Sequence, residues 1–149
     1  MAERDDSGTR VEILLIEDNP GDVRLTKLAL KGGKILNNIS VVMDGAEAMD
    51  FLLKKGKYSD AVRPDLIILD LNLPKKDGRQ VLKEIKDNES LRRIPIVVLT
   101  TSRDEQDVLK SYNLHANAYI TKPLGLDQFI DVVRSIETFW VSVVRLPPK

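Results

Sequence analysis

Five short apolar runs recur along the chain at nearly regular intervals. They begin at Val11 (VEILLI), Ile39 (ISVVM), Leu66 (LIIL), Ile94 (IPIVVL) and Ala118 (AYI), spaced by 28, 27, 28 and 24 residues. Each is rich in Val and Ile and nearly continuous rather than alternating. That pattern suits strands covered on both faces, as in a parallel sheet. The interval is the length of one strand, one helix and two loops. Between the runs the apolar positions take helical spacing. Ala48, Met49, Leu52 and Leu53 share one face, as do Val81, Leu82 and Ile85, and then Val108, Leu109 and Tyr112. Leu126, Phe129, Ile130 and Val133 continue the pattern after the fifth run. Five βα units in series predict a doubly wound α/β fold, a five-stranded parallel sheet whose right-handed crossovers put helices on both faces.

The punctuation agrees. Asn19 or Asp18 can cap the first helix with Pro20 in its opening turn, and Gly32-Gly33 can end it. Asp77 or Gly78 begins the third helix, and Ser102 or Asp104 the fourth. The polar stretch from Lys55 to Arg63, ahead of Pro64, reads as an extended loop. The expected organisation is a flexible segment over 1–10, one domain over 11–137, and an apolar extension over 138–149 with no output domain.

Composition narrows the function. A chain of 149 residues suits a single core. With 23 Lys+Arg against 23 Asp+Glu it lacks the basic surplus of a general nucleic-acid binder. There is no cysteine, which excludes disulfides, thiolate zinc sites and thiol nucleophiles. The single histidine, His115, rules out a multi-histidine metal centre and is expected in a solvated loop. The N-terminus MAERDDSGTR is no signal peptide, and the apolar runs fall far short of the ~20 residues that span a bilayer. A cytoplasmic protein bound to neither membrane nor nucleic acid is expected. Lys54-Lys55, Lys75-Lys76 and Arg92-Arg93 read as ordinary charged surface.

In an open α/β sheet, ligands bind beyond the carboxyl ends of the strands. The first strand delivers Glu17-Asp18 there, the third Asp70 and then Asn72, the fourth Thr100-Thr101-Ser102, and the fifth Thr121-Lys122-Pro123. A dinucleotide or flavin binder would offer Gly, Ser and Thr amides after the first strand. The turn EDNPGD would instead repel phosphate unless a cation intervened. Three carboxylates, Glu17, Asp18 and Asp70, meeting at one edge repel each other and invite protons or a metal. Oxygen-only ligands point to a hard cation, Mg²⁺ above all. With a hydroxyl, Thr100, and an ammonium, Lys122, opposite the acids, the set makes a site for a phosphoryl group on Asp70.

ILLIEDNPGD, LIILDLNLPKKDG, IPIVVLTTS and AYITKPL resemble the four signature blocks of two-component response-regulator receiver domains, which have a flavodoxin-like fold. The resemblance covers roughly Val11 to Ile136, and the spacings of 30 residues from Asp70 to Thr100 and 52 to Lys122 are typical of that family. NLPKKDGR, the long loop before the third strand and the tail ETFW…LP are similar to single-domain regulators of bacterial phytochrome-type histidine kinases.

The resemblance implies roles residue by residue. Asp70 is the phosphoacceptor, attacking a phosphohistidine on the kinase. Asp18 binds Mg²⁺ directly, and Glu17 does so directly or through a water, because Glu-Asp adds one methylene where many relatives carry Asp-Asp. Asn72 contributes its backbone carbonyl to the metal. Thr100 hydrogen-bonds a phosphoryl oxygen, and Lys122 pairs with Asp70 or with the phosphoryl. Pro123 is cis in the family and turns Lys122 inward. Tyr119 matches the aromatic switch position, its ring turning into space that Thr100 vacates. Asn72 and Ser102 flank the path of attacking water and tune phosphoryl lifetime.

Two other readings use the same residues. A phosphorylation-independent pseudo-receiver usually lacks an aspartate or the Lys, and here Asp18, Asp70, Thr100 and Lys122 are all present. An aspartyl phosphatase needs a second aspartate two residues after the nucleophile, where Asn72 stands. The chain therefore reads as a signalling protein that catalyses only its own phosphorylation and dephosphorylation. Its expected partners are a sensor histidine kinase and a downstream protein. The cluster Phe139, Trp140, Val141, Val143, Val144 and Leu146, beyond a helix that already has its own core face, predicts a homodimer through the C-terminal helix and tail.

Overall fold

The computed structural model describes residues 10–32, 36–73, 75–100, 103–111, 114, 116–122, 131 and 134. All five expected strands are present: β1 (Val11–Ile16), β2 (Asn37–Val42), β3 (Leu66–Asp70), β4 (Ile96–Thr100) and β5 (Ala118–Thr121). Four helices separate them: α1 (Pro20–Lys31), α2 (Gly45–Leu52), α3 (Gly78–Asp87) and α4 (Arg103–Ser111). The strands pair in parallel, in the order β2-β1-β3-β4-β5. The chain leaves β1 for β2 on one side and returns to β3 on the other. The crevice beyond β1 and β3 is therefore the topological switch point, where open α/β sheets bind ligands.

Alternation within the strands divides the core between the two faces. Leu14, Ile16, Ile67, Leu69, Ile96 and Val98 point to α2, α3 and α4, where they meet Ala48, Met49, Leu52, Val81, Leu82, Ile85 and Leu109. Ile13, Leu15, Ile68, Val97 and Leu99 point the other way, with Leu30 of α1. Every residue of β3 and β4 is buried, which is why their sequences read as unbroken apolar runs. Among the described residues, no helix is long and apolar enough to cross a membrane.

Capping follows the sequence closely. The Asn19 side chain, not that of Asp18, accepts from Asp22 N at the start of α1, leaving Asp18 out of the helix turn. Asp77 caps α3 in a reciprocal arrangement with Gln80, and Asp44 caps α2 by accepting from Glu47 N. Gly78 opens α3 against the end of β3. Its N–H donates to the Leu71 carbonyl oxygen, and a Cβ there would lie 2.6 Å from Leu71 Cα.

Several expectations need correction. β2 starts two residues early, at Asn37, because the polar pair Asn37-Asn38 continues the register opposite Val11 and Glu12. β4 starts at Ile96, two residues late, since Ile94 closes a short 3-10 turn, Leu91–Arg93, ahead of Pro95. Leu53 does not join the α2 face: the helix ends at Leu52, and Leu53 is 39% exposed. Val108 is 44% exposed, one helical step round from the buried Leu109. The loop before β3 is not wholly extended, because Gly56–Tyr58 form a 3-10 turn. Tyr58 of that turn packs its ring 5.2 Å from Phe51 of α2 and donates to Glu47 at 2.6 Å. Tyr112, Ser102, His115, Pro123 and the apolar positions expected to form the last helix and tail (Leu126, Phe129, Ile130, Val133, Ile136 and beyond) lie outside the described residues.

Candidate functional site

The sheet register brings the strand ends level. Ile16 pairs with Leu69, Asp70 with Leu99, and Thr100 with Thr121. The next residues emerge along one edge. Glu17 follows β1 and keeps its N–H in the ladder, donating to the Val42 carbonyl oxygen at 3.0 Å. Lys122 follows β5, with its N–H on the Thr100 carbonyl oxygen at 2.6 Å. Glu17, Asp70 and Thr100 are buried, whereas Asp18 is partly open to solvent.

The Lys122 ammonium joins three carboxylates. Its Nζ lies 2.7 Å from Asp22 Oδ2, 3.0 Å from Glu17 Oε1 and 3.2 Å from Asp70 Oδ2. Asp70 Oδ1 accepts from Asn72 N at 3.0 Å, and Glu17 Oε2 accepts from Asn19 N at 3.2 Å. The two buried acids are thus each held by one backbone N–H and one shared cation. The Thr100 hydroxyl is buried and has no hydrogen-bond partner among the described residues. A buried polar group in that condition is costly, and its persistence at a strand end marks a place where a ligand oxygen could satisfy it.

The electrostatics follow from crowding. Burial pushes the Glu17 carboxyl up to about 8, the neighbouring Asp70 adds to the rise, and Lys122 opposes it. Burial disfavours the Lys122 ammonium, but the hydrogen bond to Asp22 and the charges of Asp70 and Glu17 outweigh it and hold Lys122 above its ordinary range. The acids are short of positive charge. One carboxylate oxygen from each of Glu17, Asp18 and Asp70 lies within 4.8 Å of the others, two of the residues buried and one open to solvent. This donor set, all oxygen and all anionic, fits a hard divalent cation that keeps part of its water shell.

Tyr119 of β5 is half-buried against the α2–α3–α4 face. Its hydroxyl accepts from Ala116 N at 2.8 Å and donates to the Leu114 carbonyl oxygen at 3.0 Å. The sheet edge therefore unites the expected Glu17, Asp18, Asp70, Asn72, Thr100 and Lys122, with Tyr119 on β5, three residues back from Lys122. Asp22 is the residue that sequence reasoning missed. The available signal was an acid in the first turn of the helix that leaves the acidic strand end, facing the same crevice.

Comparison with known proteins agrees with this arrangement. The response regulator receiver domain family matches residues 13–134. Response regulator Rcp1 of Synechocystis is 50% identical over 143 residues, covering 96% of this chain and 97% of Rcp1. The crystal structure of the phosphorylated cyanobacterial phytochrome response regulator RcpA superposes with a TM-score of 0.84 at 51% identity, over 93% of this chain and 99% of RcpA. The Mn²⁺-bound form of Rcp1 gives a TM-score of 0.83 at 51% identity, over 93% and 99% of the two chains. A match spanning both core faces and all five strand ends leaves one assignment: this chain belongs to the response regulator receiver domain family.

Proposed function

We propose that the chain is a single-domain switch in a phytochrome-linked two-component pathway, phosphorylated on Asp70 by a histidine kinase. The observation that carries this reading is the contact of Asp70 with the Lys122 ammonium at 3.2 Å, at a sheet edge where the adjacent strand ends on a buried Thr100 hydroxyl that has no partner among the described residues. An Asp70 carboxylate oxygen attacks phosphorus, and the bond from phosphorus to the kinase imidazole breaks. The imidazole keeps the electron pair and takes a proton, and an acyl phosphate forms on Asp70. Lys122 then turns to a phosphoryl oxygen, and Thr100 donates to another.

Glu17, Asp18 and Asp70, with the Asn72 backbone carbonyl, would hold Mg²⁺. When bound it supplies neutralising charge for the phosphoryl oxygens. Asn72 and Ser102, two residues beyond Asp70 and Thr100 in the sequence, are expected to govern the approach of water to the acyl phosphate. Both are small and polar, so hydrolysis in minutes rather than days is expected, and Asn72→Arg or Ser102→Tyr should slow it. Movement of Thr100 toward phosphate opens space for the Tyr119 ring, changing the surface of α4 and β5 that a downstream protein reads. The apolar C-terminal segment around Trp140 supports a homodimer, in which a twofold contact repeats the same patch on both subunits. Light scattering on the intact chain and on one ending at Glu137 tests that contact, and a monomeric intact chain would sink it.

Mass spectrometry after incubation with acetyl phosphate and Mg²⁺ tests the central claim. The chain should gain one phosphoryl group, and Asp70→Asn or a chelator should abolish the gain. Labelling of Asp70→Asn at the wild-type rate would move the acceptor elsewhere.

A further inference from the structure

We propose that Asp22 is a positioning residue: it retains the Lys122 ammonium in the site when a divalent cation takes up the carboxylates of Glu17 and Asp70. The inference rests on the reading above and extends it to a residue outside the metal set. Lys122 Nζ has three protons to donate and meets three acids, Asp22 at 2.7 Å, Glu17 at 3.0 Å and Asp70 at 3.2 Å. Two of those acids also belong to the group of three whose oxygens gather within 4.8 Å, and Asp22 does not. A cation bound there would withdraw Glu17 and Asp70 from Lys122 and would also repel the ammonium. Asp22 is then the acceptor that remains.

The local structure keeps it in place. Asp22 stands in the first turn of α1, with its N–H on the Asn19 side chain at 2.9 Å. Its carbonyl oxygen accepts from the hydroxyl of buried Thr26 at 2.8 Å. Asn19 is itself tied to the cluster through its N–H on Glu17 Oε2, whereas the Thr26 bond involves no group of the cluster and holds the Asp22 backbone independently of it. The side chain is 32% exposed, compared with 1% for Glu17 and 3% for Asp70, so it bears its charge at lower desolvation cost. An acid in the first turn of a helix is also stabilising without any partner. That ordinary role predicts a change in melting temperature and no dependence on Lys122.

The two roles separate in a double-mutant cycle on metal affinity, read by the electron paramagnetic resonance of free Mn²⁺ with the full chain. With Lys122 in place, Asp22→Asn leaves the ammonium leaning on Glu17 and Asp70, so Mn²⁺ must compete with it for both. We expect Asp22→Asn to weaken Mn²⁺ binding about tenfold in the wild-type background and about twofold in Lys122→Met, the remainder being plain charge. A second readout uses Asp22→Asn alone. In protein loaded with Mg²⁺, the Lys122 Nζ protons should exchange slowly with Asp22 present and fast in the variant, as seen by ¹⁵N nuclear magnetic resonance. Equal losses of Mn²⁺ affinity in both backgrounds, or unchanged proton exchange, would overturn the proposal while Asp70 labelling still stood. Wild-type protein that bound no Mn²⁺ would overturn the metal reading and this proposal together.

Discussion

The hydroxyl of Tyr119 donates to the carbonyl oxygen of Leu114 at 3.0 Å, five residues back along the chain. The phenol oxygen in turn accepts from Ala116 N, so one phenol joins two backbone groups of the turn entering β5. Burial holds the phenol above its ordinary range, so it remains a donor at neutral pH. Lys110 of α4 sits 5.3 Å from the ring centroid, coupling the ring to the neighbouring helix. Tyr119→Phe should leave both backbone groups without this partner and cost about 1–2 kcal/mol in urea denaturation. If the ring turns inward on phosphorylation, those two bonds resist the turn. The Phe variant should then reach the activated spectrum at a lower concentration of the phosphoryl mimic beryllofluoride. An unchanged denaturation midpoint would show that the bonds contribute nothing.

Lys122 is the positive charge that holds the buried acids together. Removing it leaves Glu17 and Asp70, at 1% and 3% side-chain exposure, without their shared cation. Breaking a buried pair costs about 3–5 kcal/mol, and the low end is expected here because Glu17 can take up a proton. Lys122→Met should therefore melt well below wild type in EDTA, and excess Mg²⁺ should restore much of the loss. Asp18→Asn works in the opposite direction. Asp18 is partly open to solvent and adds repulsion, so its neutral variant should melt no lower than wild type in EDTA while losing Asp70 labelling.

The two variants also show which parts of the site the sequence makes legible. Asp70 and Thr100 end their strands, Glu17 and Lys122 follow directly on theirs, and a strand buried on both faces, such as β3 or β4, announces its own end by the first polar residue. Strand position therefore converts into site position, and Glu17, Asp70 and Lys122 meet as their spacing predicts, with Thr100 at the end of the strand between β3 and β5. Asp22 lies 100 residues from Lys122 on a helix, and its contact depends on how α1 crosses the sheet. No local pattern records that angle.

A similar argument accounts for the fold errors. β2 is an edge strand, so Asn37 and Asn38 can pair with β1 without being apolar, and hydrophobicity alone starts the strand too late. Leu53 fits the α2 periodicity, but the helix stops one residue before it. Periodicity reports which residues would share a face if the helix continued, and it does not report where the helix ends.

The bond from Tyr58 to Glu47 gives a pH dependence that can be read away from the acid cluster. Burial raises the Tyr58 phenol to about 12, assisted by Glu47, and Tyr58 in turn lowers the Glu47 carboxyl. The raised phenol contributes stability that is fully present below its unfolded value of 10.0 and is lost as pH climbs through about 12. The lowered carboxyl contributes stability that is present above 4.5 and is lost as pH falls through its depressed folded value. Tyr58→Phe should cost about 1–2 kcal/mol at neutral pH. The gap between wild type and variant, followed by urea denaturation, should stay flat across the neutral range and narrow at both ends. A gap independent of pH would assign the loss to something other than this hydrogen bond.

Gly78 supplies a prediction whose sign opposes helix propensity. Alanine is the better helix former, by about 1 kcal/mol in an open helix interior. At Gly78 the added Cβ would lie 2.6 Å from Leu71 Cα and 2.7 Å from the carbonyl oxygens of Asp70 and Leu71. All three are backbone atoms at the end of β3, so no side chain can swing away. Gly78→Ala should cost about 1–3 kcal/mol by overpacking. It should also slow Asp70 labelling, because the displaced segment carries the Asn72 N–H that fixes Asp70 Oδ1 at 3.0 Å. Gly32 is the control. A Cβ there would meet only ordinary contacts at 3.7 and 3.8 Å, and its φ of −83° suits any residue. Gly32→Ala should be neutral or stabilising by up to about 1 kcal/mol, with unchanged labelling. If the two variants melted alike, the close approach of α3 to β3 would not be what fixes the segment after Asp70.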